Sequence, residues 1–314
     1  MNHKGQTEQF NWIFVLVAGA IILGFFSLFI FKYVELQQKR FNIGISQDLS
    51  NAFQVLSTSS VGSSSTIDSS EGFKIGSTAL LDFSCTDDQL LLRVNEDPDA
   101  VYRFRDEFVF SRSSLRVDSL DLWLKPWFFP FYVGNFVFLS DPDDVFYFVY
   151  DASTREEVLS LDIPSIFTVK TVSINDALPE RSSLRVVYFT SSLPRSDLDR
   201  FSSVSHISLS EKNVRFYEEG RWSDEISFPS DAFVYGAVFS DSSSLFSCLV
   251  QKSEERISFL SKVYAQKAHL LSFFDRRPEC SYDLLFQRLV SFGKGDYDLL
   301  SSLEGENSAC MLVF

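Results

Sequence analysis

From Gln9 to Phe31 the chain carries no charged residue, and Trp12 to Phe31 places Ile, Leu, Val or Phe at 14 of 20 positions. At about 1.5 Å per residue a helix over that stretch is about 30 Å long, the thickness of a bilayer's hydrocarbon core. At roughly −0.3 to −0.6 kcal/mol per apolar side chain, insertion gains on the order of 4–8 kcal/mol. Trp12 and Tyr33 bracket the stretch at interface depth, with Lys32 beside the latter. The pattern predicts a flank over 1–11 and a transmembrane helix over 12–31. A cleaved secretory signal fits less well, because its apolar region is shorter and Phe29 to Phe31 are poor cleavage positions.

Beyond the span the period changes several times. Ile45, Leu49, Phe53 and Leu56 recur at helical spacing, so 32–56 reads as a helical stalk, interrupted near Gly44. Residues 57–72 are Ser-rich and predict a flexible linker. From 73 to 240 short β-branched and aromatic runs alternate with turn signals. The runs are Thr78–Phe83, Gln89–Val94, Phe108–Ser111, Asn135–Ser140, Val145–Tyr150, Phe167–Val172, Leu184–Thr190, Val204–Leu209 and Asn213–Tyr217. Asp141-Pro142-Asp143-Asp144 reads as a solvated turn that could close a hairpin of its two flanking strands. The apolar run 126–139 is too short to span a membrane and contains proline, so it reads as buried sheet. Residues 241–314 switch to three- and four-residue spacing. They predict a long helix over about 244–275, ended by Arg277-Pro278, and a second over about 281–292, stopped by Gly293-Lys294-Gly295. The predicted fold class is α+β: an N-terminal transmembrane helix, a β-rich domain, then a long and a short C-terminal helix.

Composition narrows the function classes. The mean hydropathy of +0.03 averages two solvents. Beyond residue 40 the chain holds 24 basic against 40 acidic residues, a balance of −16. Nucleic-acid binding needs clustered Lys and Arg, so no nucleic-acid partner is expected. The flanking charges, Lys4 and the α-amino group against Glu8 before the span, Lys32, Lys39 and Arg40 against Glu35 after it, tilt slightly toward a cytoplasmic C-terminus. Large domains translocate largely regardless of charge, so the cysteines weigh more.

Cys85, Cys248, Cys280 and Cys310 form an even set without a Cys-x-x-Cys pair. Zinc sites favour close pairs, so two readings compete: free buried thiols, or two disulfides in an oxidising compartment. If 250–275 is one helix, its ends stand about 38 Å apart. Cys248 and Cys280 flank it and cannot come within the roughly 7 Å that a bridge needs. The expected pairs are therefore Cys280–Cys310 and Cys85–Cys248, with the domain extracytoplasmic.

No familiar catalytic pattern emerges. His3, His206 and His269 form no metal-binding spacing, and no Gly-x-Ser-x-Gly, P-loop or Gly-x-Gly-x-x-Gly is present. Ser291-Phe292-Gly293-Lys294 fits Ser-x-x-Lys, a chance match in so Ser-rich a chain. Asp87-Asp88, Asp141–Asp144 and Asp224-Glu225 do not fit a calcium loop. No catalytic residue, metal ligand or cofactor is assigned.

One resemblance follows from the start of the chain. Lys4-Gly5-Gln6, then Glu8, Phe10 and the long apolar helix, resembles the class III signal of archaeal type IV pilins. The overall layout is similar to uncharacterised archaeal single-pass membrane proteins. The pilin resemblance implies cleavage between Gly5 and Gln6 and an apolar helix that forms a filament core. Glu8 departs from that pattern, since the family's acidic residue usually stands fifth after the cut and this one would stand third. Ala20-x-x-x-Gly24 supplies a small-residue face for helix association.

The expected function is a membrane-anchored, non-enzymatic surface or envelope interaction protein, with the bilayer as one partner and itself or another membrane protein as a second. A pilin-like subunit polymerising through its N-terminal helix is the first alternative, and a membrane-tethered carboxylate-dependent hydrolase the second.

Overall fold

The computed structural model describes residues 4–59, 73–86, 89–104, 107–179, 184–194, 198–274, 280–299, 302–305 and 313–314. Most of the predicted linker (60–72), Asp87-Asp88 and Cys310 lie outside the described residues.

The chain opens with α1 (Lys4–Ser59), a single helix of 56 residues. The break expected near Gly44 is absent: Gly44 sits mid-helix with open space around its Cα. One isolated glycine costs a helix only about 1 kcal/mol. The turns beyond it are held by tertiary contact, since Ile45, Leu49 and Phe53 are buried. The predicted stalk is thus docked on the folded domain in its second half.

The first sheet follows: β1 (Phe73–Thr86), β2 (Gln89–Val94), β3 (Val101–Arg103), β4 (Phe108–Phe110), β5 (Ser114–Phe128) and β6 (Tyr132–Ser140). Their order is β3-β2-β1-β5-β6-β4, antiparallel except for β4 beside β6. The apolar run 126–139 is buried sheet as expected, but it is two strands. Lys125 pairs with Phe136 and Phe128 with Tyr132 across a turn at Phe129-Pro130.

The second sheet contains β7 (Val145–Tyr150) and, after the short helix α2 (Arg155–Leu159), β8 (Thr168–Ser173), β9 (Leu184–Phe189), β10 (Ser203–Ser208), β11 (Asn213–Glu218), β12 (Arg221–Trp222) and β13 (Ile226–Ser227). The order runs β8-β7-β9-β10-β11-β12, with β13 also on β11. β8, β7, β9 and β10 are parallel, and β11 is antiparallel. The hairpin expected across Asp141–Asp144 does not form. β6 already has β5 and β4 on its two edges, and β7 has β8 and β9, so the turn carries the chain from one sheet to the other. Both strands are buried on both faces, as central strands are.

Among the described residues three longer helices follow: α3 (Ala232–Phe239), α4 (Ser243–Phe274) and α5 (Tyr282–Phe292). The last two match the sequence reading within two residues. α3 joins the sheets. Its Phe239 ring lies 5.1 Å from Phe138 of the first sheet and 5.1 Å from Phe146 of the second. One turn back, a Cβ on Gly236 would lie 2.5 Å from the Phe110 ring. That ring cannot swing away, because Phe136, Phe138, Phe233 and Phe246 pack around it at 5.0 to 6.1 Å.

Gly236→Ala is therefore expected to destabilise the fold by about 1–3 kcal/mol through overpacking. A lower urea midpoint for the detergent-solubilised protein checks this. An unchanged midpoint would mean that the Phe110 ring yields.

Candidate functional site

From Phe14 to Phe31 α1 carries no charged residue, and none of these side chains is buried. Its most apolar 18-residue window has a mean hydropathy of 2.7, and none of it is buried. This helix is long and apolar enough to cross a membrane. Trp12, Leu23 and Phe31 are each at least 70% exposed. Ala20 is exposed, and Gly24 has no atom within 4 Å of an added Cβ, so the small-residue face is unoccupied in the single chain. Gly5 and Gln6 fall in the first turns of α1.

The second half of α1 is fixed to the β2–β3 turn. Asn95 and Glu96 adopt positive φ there, +51° and +57°, with the Asp97 N–H bonded to the Val94 carbonyl at 3.0 Å. Asn tolerates this region because its short amide bonds locally. The Asn95 side chain accepts from the Leu80 N–H (2.8 Å) and donates to Asn42 Oδ1 (2.8 Å). Asn42 in turn donates to Asp97 (3.1 Å), and Lys39 pairs with Asp99. The Asp99 backbone N–H, then the Asn42 amide, hold the Asp97 carboxyl below its ordinary pKa. Below this polar latch the Phe53 ring meets Phe104 at 5.2 Å and Tyr102 at 6.2 Å.

Cys85, near the end of β1, and Cys248, in the first turns of α4, form the expected disulfide, with Cα atoms 6.4 Å apart. Cys280 is also disulfide-bonded. Its expected partner, Cys310, lies outside the described residues.

The second sheet holds a feature that the sequence reading missed. From β7 the chain crosses to β8 on one side, then returns to β9 on the other, which makes the β7/β9 boundary a topological switch point. In open α/β sheets, crevices at such points lie outside the carboxyl ends of the strands. Asp151, directly after β7, stands there. It accepts from the Ser153 and Thr154 N–H groups (2.9 and 3.2 Å) and from Ser153 Oγ (2.5 Å). Across the boundary it accepts from Ser191 N–H (2.8 Å) and Oγ (3.0 Å). These bonds, led by those from Ser153 and Ser191, drive its pKa far below the ordinary carboxylate range. The carboxylate thus clamps the two strand ends and keeps no proton to give. The sequence signal was present: an apolar strand followed at once by Asp-Ala-Ser-Thr.

The Asp141–Asp144 run is more than the solvated turn expected. Asp144 is buried and accepts from Arg112 (2.8 Å) and from Ser140 Oγ (3.1 Å). Beside it lies Arg185, fully buried on β9, which donates to the Val238 and Ser240 carbonyls (3.1 and 3.0 Å) and lies over Phe146. Burial pushes its pKa down to about 10, against the pull of Asp144 and Asp241. Arg185 thus bonds the end of α3 to the second sheet, and Asp241, just past α3, accepts from the Ser113 N–H beside the first sheet (2.7 Å), so these charges hold the joint. Asp121 and Asp141 both have raised pKa values, chiefly from burial. Neither lines the groove of about 800 Å³ among Ser192, Pro194, Asp199, Tyr217 and Trp222.

His206 is buried on β10 and shares a 2.7 Å bond with the Thr190 carbonyl, so Nε2 donates. His269 is exposed on α4. Ser291 and Lys294 meet only as backbone, at the end of α5. Among the described residues no three His, Cys, Asp or Glu are grouped to hold a metal ion. No family model, no curated protein and no solved structure matches the chain.

Two outcomes follow. Replacing both Cys85 and Cys248 with Ala removes a bridge between positions 163 residues apart and is expected to cost about 2–5 kcal/mol, read by urea unfolding without reductant. Burial lowers the His206 pKa below 6.5. Its contribution to stability is complete above the unfolded value near pH 6.5 and is lost as the pH falls through the lower folded one. Urea midpoints taken from about pH 7 to about pH 5 should fall, and His206→Gln should flatten that slope.

Proposed function

We propose that the chain is a single-pass membrane protein of the cell envelope, anchored through 12–31, whose folded part stands outside the cytoplasm and serves in binding rather than catalysis. The observation that carries this reading is the bare apolar half of α1. Some 20 apolar residues left in water would be a severe liability, and a bilayer removes it. The extracytoplasmic side rests on the cysteines: the Cys85–Cys248 bridge and an oxidised Cys280 suit a compartment where disulfides persist. The flanking charges favour the other orientation by only one or two residues, and large domains override such a bias. The lack of a free proton donor or acceptor on the clamped Asp151 favours a binding role.

A second reading keeps a specific support. α1 runs unbroken from its bare half into its docked half, so a subunit could associate through the bare half while carrying the domain rigidly. Together with Lys4-Gly5-Gln6 and the exposed Ala20 and Gly24, this favours a pilin-like subunit that assembles through its N-terminal helix.

Two measurements decide. In intact cells, added protease should degrade residues 73–314 while the chain stays in the membrane through alkaline carbonate extraction. Protection of that domain, or its release by carbonate, would sink the anchored extracytoplasmic reading. N-terminal sequencing of the native protein separates the two: a start at Gln6 supports the pilin-like subunit, and an intact Met1 removes it.

A further inference from the structure

Beyond α1, six large apolar side chains among the described residues are more than half exposed: Phe128, Leu159, Phe259, Leu270, Phe273 and Phe274. Five of the six lie on two elements that touch each other. Phe259, Leu270, Phe273 and Phe274 lie on the second half of α4, and Phe128 lies at the tip of the β5–β6 hairpin. The two elements meet there, with Phe131 of the tip 4.8 Å from Tyr264 of α4. Phe274, at 83% exposed, is barer than Trp12 (74%) and Phe31 (73%), the barest large apolar side chains described on α1.

The strand registers say which way this tip faces. Along α1, Asn42 lies level with Leu80 of β1, through Asn95, while Phe53 lies level with Phe83, through Phe104. Leu80 to Phe83 therefore points away from the apolar half of α1. β5 runs the opposite way, with Leu115 beside Leu81 and Leu120 beside Phe73. From there β5 continues to the tip, about 43 Å from Leu115 at an extended rise. Along α1 the end of the apolar stretch, Phe31, is only about 16 Å from Asn42. A β5 that keeps this direction beyond Leu120 brings the tip to the depth of the bilayer surface.

We propose that the β5–β6 tip and the second half of α4 form a second membrane contact, a patch of phenylalanines resting in the interface of the bilayer that holds α1. The basic side chain of Lys262 and the polar Gln266 and His269 lie exposed along the same half of α4, where headgroups can receive them. The proposal rests on the anchored reading of α1. It makes that reading more specific: the domain lies down on the membrane instead of standing off on a stalk.

The test uses the full chain reconstituted in phosphatidylcholine vesicles, with an environment-sensitive fluorophore on one introduced cysteine. Three versions are compared: Phe14→Cys within the span, Phe273→Cys in the patch, and Leu159→Cys, exposed on α2. Circular dichroism and a retained Cys85–Cys248 bridge confirm that each is folded. The label at 273 should shift to the blue and lose emission to quenchers attached to lipid acyl chains, as at 14, while the label at 159 stays unquenched. Quenching at 14 with none at 273 overturns the second contact alone. No quenching at 14 overturns the anchored reading, and the second contact with it. Equal quenching at 273 and 159 also overturns the proposal, since the effect would then not belong to the patch.

Discussion

The packing of Phe110 against Gly236 sets the distance between the two sheets. Phe110 belongs to a strand three residues long, at the edge of the first sheet, and has four other rings around it. The ring lies against bare α3 backbone, so α3 comes close enough for Phe239 to reach both sheets. Ring pairs at these separations add about 0.5–1.5 kcal/mol each beyond their buried area. Much of the Phe content thus has a structural cause: residues of both sheets and of α3, α4 and α5 belong to one large apolar cluster in which Phe rings pack on one another. The buried charges beside this joint follow from it. The end of α3 leaves its last carbonyls inside the protein, and Arg185 supplies the donors that water would supply at an exposed helix end.

Much of this was readable in the sequence, and the failures have distinct causes. Each of the nine strand segments coincides with a strand, because β-branched and aromatic runs between turn residues leave few other options. α4 and α5 were readable for the converse reason, a sustained three-and-four spacing. α3 was hidden: Ala232–Phe239 is apolar on every side, so it has no period, and its residues by themselves suit a strand as well as a helix. β5 was recognised only at its end, 126–128, inside the apolar run. Its 15 residues include Pro126, its charges at 116, 118, 121 and 125 keep no fixed period, and its length is far above the usual five or six residues for a strand. The false hairpin at Asp141–Asp144 came from reading proximity in sequence as pairing, when both strands were already flanked in their own sheets.

The candidate site divides the same way. The apolar helix and the Cys85–Cys248 pairing came from length and distance, which sequence supplies. Asp151 did not, because its meaning lies in Ser191, 40 residues away, and only the order of the strands brings them together. Asp144 was misread for a similar reason: its neighbours in sequence are solvated, but its partner Arg112 comes from the other side of the joint.

These parts share one strand. β1 carries Leu80, whose N–H is bonded to Asn95 and through it to α1, and five residues later Cys85, bridged to α4. Between these points β1 is paired with β2 on one side and β5 on the other. A pull on the apolar half of α1 therefore enters the domain at the Asn42–Asn95–Leu80 latch and passes along β1 through hydrogen bonds loaded in shear. It leaves through a covalent bond into a 32-residue helix that lies against the hairpin. The latch is the weak link, since exposed ion pairs contribute little and side-chain amide bonds about 1 kcal/mol each. The buried Ile45, Leu49 and Phe53 just beyond it are what keep α1 seated when the latch opens.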